Sequence, residues 1–579
     1  MPLIPPKAGI KLEPVSKVYT VEQDKARPPA ETVAWVRERF AGMGQNVLKE
    51  TKRIDTGRLD IPVFLSLCGH QASALTNTAK QMGKGAGPDQ AEASALMELA
   101  ERFSFFSYIK NTPFEYLRAE QAPQPRMDFQ EVAKSLYHPL AQTDSAKQVF
   151  DLLPQRWAWA RNLTTSRDEA VPLGWFYAIN EYNGPAAGNC QEEAVLQSLC
   201  EVIERHISAV VSLEKRPTPA IDPESIEDPV ARELVEKFTS QGIQVYLKDF
   251  TLDMGVPSVA ALCYDPATFP AKSEIVYAAG TATSPTMALI RALTEVAQLA
   301  GDFETSSSYK VSALPKFATM EEAAYVTEAA GMVPLDSLPD LSRADFRDEV
   351  GACVEALQER GFTVYSLDVT HAELQVPAVY TFVPGFHFAE RTTGTDVVFH
   401  AAKLASQLPD PDQSLGVLKK MAQVAPGAYY LPFFRALALI NLERPQDALE
   451  DLERALELNP PAQDAASIHT QRGVALKDLG RFAEAQTALH KASTFPEPHP
   501  EVFNLLGFCL FKQEQYEDAI QAFSQAIKLD PGQAINYANI GTNLRELGRI
   551  DEACEMYAHA LELDPSLDFA RENLERLKD

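Results

Sequence analysis

The sequence predicts two fold classes in one chain: a mixed α+β or α/β domain over the first two-thirds, then an all-α helical solenoid. Three observations predict this. From residue 426 the sequence repeats itself every 34 residues. Before that, three stretches share the order helix, glycine, short strand, second strand. Three further stretches carry glutamates at one common spacing on amphipathic helices. At 579 residues the chain exceeds what one hydrophobic core supports, so two or more domains are expected.

The C-terminal repeat is the sharper signal. Gly473, Gly507 and Gly541 recur at the 34-residue interval, as do Ala485, Ala519 and Ala553, and Ala492, Ala526 and Ala560. Pro531 and Pro565 close successive units, and the same interval links Ala448 to Ser414, Ala455 to Met421 and Pro460 to Pro426. Three extra residues within 461–467 then shift the phase. Small residues let two helices approach closely, and a proline ends the second helix before the next unit begins. Period and residues resemble the tetratricopeptide repeat (TPR). Four whole repeats are expected over 426–579, after a degenerate helical half-repeat or linker at 399–425. Such an array implies a concave groove that docks a peptide or protein. Packing against the chain's own enzyme domain, or a homodimer, are the alternatives.

The N-terminal two-thirds repeats more loosely. The first stretch runs from Glu31 through Gly44 and Val47 to Ile61-Pro62-Val63. The second runs from Val230 through Gly242 and Val245-Tyr246 to Val256-Pro257, and the third from Glu349 through Gly361 and Val364-Tyr365 to Val376-Pro377. The last two share the frame G-x-x-V-Y-x-x-D-x-T, ending at Thr251 and Thr370. Helices alternating with short β-branched strands predict the α+β or α/β domain.

Across this runs a second pattern. Ala91, Ala194 and Ala288 are each followed seven residues later by Glu98, Glu201 and Glu295, and three residues later still by Glu101, Glu204 and Gln298. Arg102 and Arg205 follow the first two pairs. Leu96, Leu199 and Leu293 mark the apolar faces, so all three stretches read as helices with the acidic groups on one side. Each is expected to trail a strand opened by an aliphatic-Pro pair: Ile61-Pro62, Val171-Pro172 and Val256-Pro257. For one such helix a solvated acidic face neutralised by arginine is a sufficient account. Three helices with one spacing, supplemented by Asn189 and Glu193, point instead to hard oxygen ligands for Mg²⁺ together with phosphates. The 10 histidines form no ligand-spaced cluster, which argues against zinc. There is no Walker-type phosphate loop. Gly83-Lys84-Gly85-Ala86-Gly87 reads either as a turn placing backbone N–H groups and an ammonium at a phosphate, or as a plain loop.

The bulk numbers narrow the partners. A net charge of −27 with a pI of about 4.9 argues against general nucleic-acid or anionic-membrane binding. The seven cysteines are scattered, without a C-x-x-C pair, which is the usage of a reducing compartment. No run approaches the roughly 18 apolar residues of a membrane span, and Met1–Pro14 lacks an apolar signal core. A cytoplasmic location is expected.

These motifs resemble those of the YcaO family. Gly83-Lys84-Gly85 with Ser94-Ala95-x-x-Glu98-x-x-Glu101-Arg102 resembles its first motif, and Ala187-Gly188-Asn189, Glu193-Ala194, Glu201 and Glu204-Arg205 its second. Arg291-Ala292-x-x-Glu295-x-x-Gln298 resembles its third, and Val383-Pro384-Gly385 the turn near its end. The resemblance divides the chain into an extension at 1–24, a YcaO domain at 25–398, the linker and the repeats. It implies ATP and Mg²⁺ as cofactors, with Glu98, Glu101, Glu193, Glu201, Glu204 and Glu295 holding or supporting the metal. Lys84, Ser94, Asn189, Arg205 and Arg291, with Lys25 and Thr32 near the N-terminus, would face the nucleotide. His206 departs from the aspartate that often follows the arginine, and Cys190, inside the second motif, reads as a packing residue.

The implied activity is ATP-dependent activation of a peptide-backbone amide by phosphorylation of its oxygen. Azoline-forming relatives characteristically end in a proline-rich tail, whereas this sequence ends in repeats. That favours thioamidation, or an accessory role in ribosomal-protein methylthiolation, over a cyclodehydratase. The expected partners are a peptide or protein substrate, a sulfur-donating protein, and a peptide or protein held by the TPRs. A non-catalytic nucleotide-binding scaffold is the rival reading.

Overall fold

The computed structural model describes residues 9–44, 46–136, 143–303, 317–388 and 395–578. It divides into two compact units, one of residues 1–142 and 154–396, the other of 143–153 and 397–579.

The first unit is built from three copies of one motif. In the first copy, helix Pro29–Gly42 leads through Gly44 into the hairpin Leu48–Arg53 and Val63–Cys68. Strand Lys80–Lys84 pairs with the hairpin and enters the long helix Pro88–Asn111. In the second copy, helix Pro229–Thr239 leads through Gly242 into the hairpin Gln244–Asp249 and Ser258–Tyr264, then strand Val276–Thr281 and helix Pro285–Ala300. The third is assembled from distant segments. Helix Phe346–Gln358, Gly361 and the hairpin Tyr365–Asp368 and Ala378–Phe382 supply one half. Strand Pro185–Ala187 and helix Gln191–Glu214, some 150 residues earlier in the sequence, supply the other. In every copy the strand entering the long helix pairs antiparallel with the second strand of the hairpin.

Local chemistry accounts for the repeated order. Gly44, Gly242 and Gly361 have φ of +76°, +78° and +80°, the left-handed conformation that ends a helix at little cost only in glycine. Ile61-Pro62, Val256-Pro257 and Val376-Pro377 each stand just before a second hairpin strand, as the sequence predicts. Val171-Pro172 does not. Val171 ends strand Arg167–Val171, and Pro172 is the N-cap of helix Leu173–Asn180. A residue before proline is held extended, and proline lacks an N–H. The pair therefore suits the end of a strand before a helix as well as the start of a strand.

A second set of glycines joins each strand to its long helix. A Cβ on Gly83 would meet the backbone of Ala91 and Ala95 at 2.0–2.6 Å, one on Gly188 the backbone of Ala194 at 2.5 Å, and one on Gly280 the backbone of Ala288 and Ala292 at 2.4–2.6 Å. At Gly83 and Gly280 strand backbone lies directly on helix backbone, and at Gly188 the residue after the strand does so; the alanines at the start of the acidic spacing, Ala91, Ala194 and Ala288, are wholly buried.

The second unit is all helical. Val397–Ser406 and Pro411–Val424 pack together and against Asp144–Leu152, a helix borrowed from the middle of the first unit's sequence. Four helix pairs follow, beginning at Tyr430, Ala462, Pro500 and Ala534, and helix Asp568–Lys578 follows the last pair. The repeated glycines sit at the crossing within a pair: Gly473 faces Leu489, Gly507 faces Phe523 and Gly541 faces Tyr557. The three-residue insertion is absorbed as extra helix, because Ala462–Asp478 has 17 residues where Pro500–Lys512 and Ala534–Glu546 have 13. Among the described residues no helix is long and apolar enough to cross a membrane.

These contacts make two glycine substitutions act in opposite directions. Gly280→Ala is expected to lower the melting temperature, since forcing a methyl group into packed backbone costs about 1–3 kcal/mol. Gly351→Ala, in helix Phe346–Gln358 with nothing within 4 Å of its Cβ, is expected to raise stability by about 0.5–1 kcal/mol. Thermal melting followed by circular dichroism checks both.

Candidate functional site

Residues at i, i+4 and i+7 lie along one helix face. On Pro88–Asn111 these are Ser94, Glu98 and Glu101; on Gln191–Glu214, Gln197, Glu201 and Glu204; on Pro285–Ala300, Arg291, Glu295 and Gln298. All nine line a single cavity of about 410 Å³. Lys84 reaches the same cavity from the strand before the first helix. Asn189 and Glu193 reach it from the start of the second helix, and Arg205 from its next turn. Lys25 and Thr32 reach it from the N-terminal segment. Every site residue expected from the sequence therefore stands on one wall or another of this cavity.

The wall nearest the N-terminal segment is a closed polar network. Glu193 accepts hydrogen bonds from Ala26 N at 3.0 Å and Asn189 Nδ2 at 3.2 Å, and pairs with Lys25 Nζ at 3.4 Å. Thr32 Oγ1 donates to Asn189 Oδ1 at 2.9 Å, fixing which face of the amide meets Glu193. Cys190 is the N-cap, its Sγ accepting from Glu193 N, while burial pushes its thiol up to about 12. It is a structural thiol.

The opposite wall is strained electrostatically. Desolvation raises the carboxyl groups of Glu98, Glu101 and Glu201 above the usual range, most strongly at Glu101, where Glu201 and Glu98 add like charge. Arg102 offsets part of this by pairing with Glu101 at 3.3 Å while donating to Tyr182 O at 2.9 Å. Lys84 pairs with Glu295, and burial brings its ammonium down to about 8. Arg291 Nη1 donates to Gln197 Oε1 at 2.6 Å, and Glu204 Oε2 accepts from Thr281 N at 3.2 Å. The Nε atoms of Arg205 and Arg291 are buried without a hydrogen-bond partner.

Two expectations change in detail. Lys84 ends a β-strand and is not part of a turn, because Gly83 must lie flat on the helix. The amide of Gly87 donates to Glu22 Oε2 at 2.9 Å and does not face the cavity. Only the ammonium of this glycine-rich stretch reaches the site. Nor do the acidic helices form a preassembled cage. Among the described residues no three His, Cys, Asp or Glu side chains cluster closely enough to hold an ion unaided. The departure at His206 is structural, since its ring stacks on Phe386 at 4.4 Å and accepts from His387 N, tying the second helix to the turn after Val383.

Sequence reasoning overlooked Gln197, although it sits four residues before Glu201 as Ser94 sits before Glu98. It also overlooked Gly280 and Glu22. Gly280 was legible as a second strand glycine, fifteen residues before Glu295 as Gly83 is before Glu98.

The donor set fits Mg²⁺ with a polyphosphate. Among the described residues it offers oxygen ligands in quantity, no cysteine or histidine in the lining, and unused donors in the buried Nε atoms of Arg205 and Arg291. Mg²⁺ takes one or two carboxylates and completes its shell with water and substrate phosphates, so a separated set of acids suits it better than a tight cluster.

Comparison with known proteins agrees. Residues 82–387 match the family described as "YcaO cyclodehydratase, ATP-ad Mg2+-binding", and residues 433–485, 500–533 and 534–567 match tetratricopeptide repeats. An uncharacterized protein of Methanothermobacter thermautotrophicus is 30% identical over 385 residues, covering 62% of this chain and 93% of that protein. An uncharacterized protein of Rhizobium leguminosarum bv. trifolii, from the tfuA 3' region, is 26% identical, with 62% and 88% covered. A heterocyclase solved with substrate and cofactor shares the fold at a TM-score of 0.54 and 20% identity, over 66% of this chain and 54% of that one.

The crowding of desolvated carboxylates generates a prediction. Glu201→Gln removes one like charge from the cavity, and is expected to stabilise the ligand-free protein at neutral pH by on the order of 1 kcal/mol. The same variant is expected to lose most of the rise in melting temperature that Mg²⁺ with ATP produces in the wild type. Differential scanning fluorimetry with and without the two ligands reads both effects.

Proposed function

Because this chain belongs to the YcaO family and carries tetratricopeptide repeats, we propose that it uses Mg²⁺ and ATP to activate a peptide-backbone amide. The observation that carries this reading is the convergence of three acidic helix faces and the cations Lys25, Lys84, Arg205 and Arg291 on one cavity. When bound, ATP would supply a γ-phosphoryl group, leaving ADP, to the amide oxygen after a nucleophile has added to its carbon, so that this oxygen could depart as phosphate, and Mg²⁺ would neutralise the charge on the phosphates.

The chain's own part is positioning and charge. Glu98, Glu101, Glu201 and Glu204 would be ligands of the metal or order its ligands, with Glu193 and Glu295 orienting their neighbours and the cations. Lys84, Arg205 and Arg291 face the phosphates, and Lys25, Thr32, Ser94 and Asn189 complete the nucleotide contacts. Among the described residues the cavity lining contains no cysteine or histidine. An external sulfur nucleophile gives a thioamide and a side chain of the peptide gives an azoline; we favour the thioamide, with sulfur delivered by a partner protein. A role beside a ribosomal-protein methylthiolating enzyme belongs to the same chemistry.

Phosphate release from ATP in the presence of Mg²⁺ and candidate peptides tests the reading. Wild type is expected to turn over and Glu201→Gln to fall by about 100-fold or more, the loss associated with removing one group that stabilises developing charge. Mass spectrometry of the peptide separates replacement of oxygen by sulfur from loss of water. Absence of nucleotide binding at any Mg²⁺ concentration would overturn the enzyme reading.

The repeats are assigned to docking of the substrate or a partner. Phe508 is 38% exposed on the first helix of its repeat, and the ammonium groups of Lys477 and Lys512 lie 5.8 and 5.5 Å from its ring centre. An exposed aromatic flanked by cations suits an apolar side chain in an acidic peptide. Phe508→Ala is expected to raise the KM for the peptide about fivefold or more while leaving that for ATP unchanged, as judged by steady-state kinetics with each substrate varied in turn.

A further inference from the structure

The segment before the first helix is pinned along its length. Glu13 N donates to Glu192 Oε1 at 2.7 Å, Ser16 bridges to Asp345, and Lys17 N donates to Ala344 O at 3.1 Å. The chain then turns back on itself. Val18 N donates to Lys25 O at 2.9 Å and Lys25 N to Tyr19 O at 2.8 Å, so residues 18–25 form a closed loop. Lys25, at the end of that loop, sends its ammonium to Glu193 in the cavity wall.

At the base of the loop is a buried charged cluster that the mechanism does not use. Lys17 Nζ donates to Asp24 Oδ2 at 2.7 Å and to Glu349 Oε1 at 2.5 Å, with its side chain 6% exposed. Glu349, on helix Phe346–Gln358, is wholly buried. The same Oε1 also accepts from Thr283 Oγ1 at 2.8 Å and from Arg343 N at 2.9 Å. Neither Lys17 nor Glu349 lines the cavity, whereas Lys25 does. An ion pair withdrawn from water adds little net stability and is better suited to specifying one arrangement of the groups it joins. What this pair joins is the loop, held through Asp24, to a helix of the third motif copy. A flexible lysine such as Lys25 meets a ligand reproducibly only if its backbone is held.

We propose that Lys17 is a positioning residue for the nucleotide site: with Asp24 and Glu349 it fixes the loop that presents Lys25 to the cavity, and it acts on the bound nucleotide only through Lys25. The inference rests on the reading of the cavity as the Mg²⁺ and ATP site.

Isothermal titration calorimetry of the full chain with Mg²⁺ and a non-hydrolysable ATP analogue gives both the affinity and the fraction of competent sites. Lys17→Met is expected to weaken the affinity about tenfold with the fraction of sites unchanged, and Lys25→Ala to do at least as much. The double variant is expected to bind no more weakly than Lys25→Ala alone, because a residue acting through Lys25 has nothing left to position. Glu349→Gln, which keeps its shape and its acceptor oxygen, provides a milder version of Lys17→Met if that variant folds poorly, and is expected to weaken affinity in the same direction. Unchanged affinity in Lys17→Met or Glu349→Gln, a lowered fraction of sites at unchanged affinity, or multiplying losses in the double variant would each overturn the proposal. Wild type that fails to bind the analogue overturns the site reading itself, which is a separate outcome.

Discussion

The site depends on a contact between backbones. At Gly83 and Gly280 a strand lies so close to the helix that follows it that no side chain fits between them, and Gly188, just after its strand, makes a similar approach to the first turn of the second helix. The contact sets the rotation of each helix about its axis, and that rotation decides which residues face the cavity. A helix turned by one residue, 100°, would swing its acidic stripe out of the cavity. With the glycine and its alanine partner in place, the residue seven positions after the alanine points inward in all three copies. A packing requirement of the strand and helix thus fixes the direction of three carboxylates.

Bringing those carboxylates together is unfavourable for the isolated protein. Glu98, Glu101 and Glu201 are all pushed toward the neutral form by loss of water, and the arginines beside them neutralise only part of the charge. The unused guanidinium donors of Arg205 and Arg291 show the complementary imbalance. A cavity that holds acids and cations without letting them fully satisfy one another is poised for a ligand carrying both signs. The destabilisation is offset elsewhere, in the mainly apolar packing beneath each helix, where Leu99, Leu199 and Leu293 are completely buried. Side chains on one helix can meet these opposing demands because the apolar and polar faces alternate with the helical period.

Much of this was legible in the sequence, and the limits have physical causes. The acidic spacing was readable because helical periodicity is a short-range property, visible within eight residues. The turn glycines Gly44, Gly242 and Gly361 were readable because glycine takes the positive φ after a helix at the least steric cost. Val171-Pro172 misled because a proline constrains its own backbone and that of its neighbour but not what comes next. The third motif copy was only half visible: the sequence displays strand Pro185–Ala187 and helix Gln191–Glu214 in one place and their hairpin in another. Pairing of strands so distant leaves no local trace. The side-chain partners of Lys84 and Gly87 were beyond reach for the same reason, since they depend on which segment arrives beside them.

The two repeat systems in the chain show why one period is sharp and the other blurred. In the solenoid each helix pair meets only its neighbours, so Gly473, Gly507 and Gly541 face the same problem of crossing their own partner helix and receive the same answer. An insertion there, as in Ala462–Asp478, lengthens one helix and leaves the next repeat intact. In the first unit the three copies face one another around a cavity, and each must present different chemistry to it. The second carboxylate of the pair becomes Gln298 in the third helix, and the serine of the first helix, Ser94, becomes Gln197 and Arg291 in the others. Convergence on a common ligand preserves the contacts that aim the helices and diversifies the residues that are aimed. The buried alanines Ala91, Ala194 and Ala288, with the strand glycines Gly83 and Gly280, consequently retain a symmetry that the functional side chains have lost.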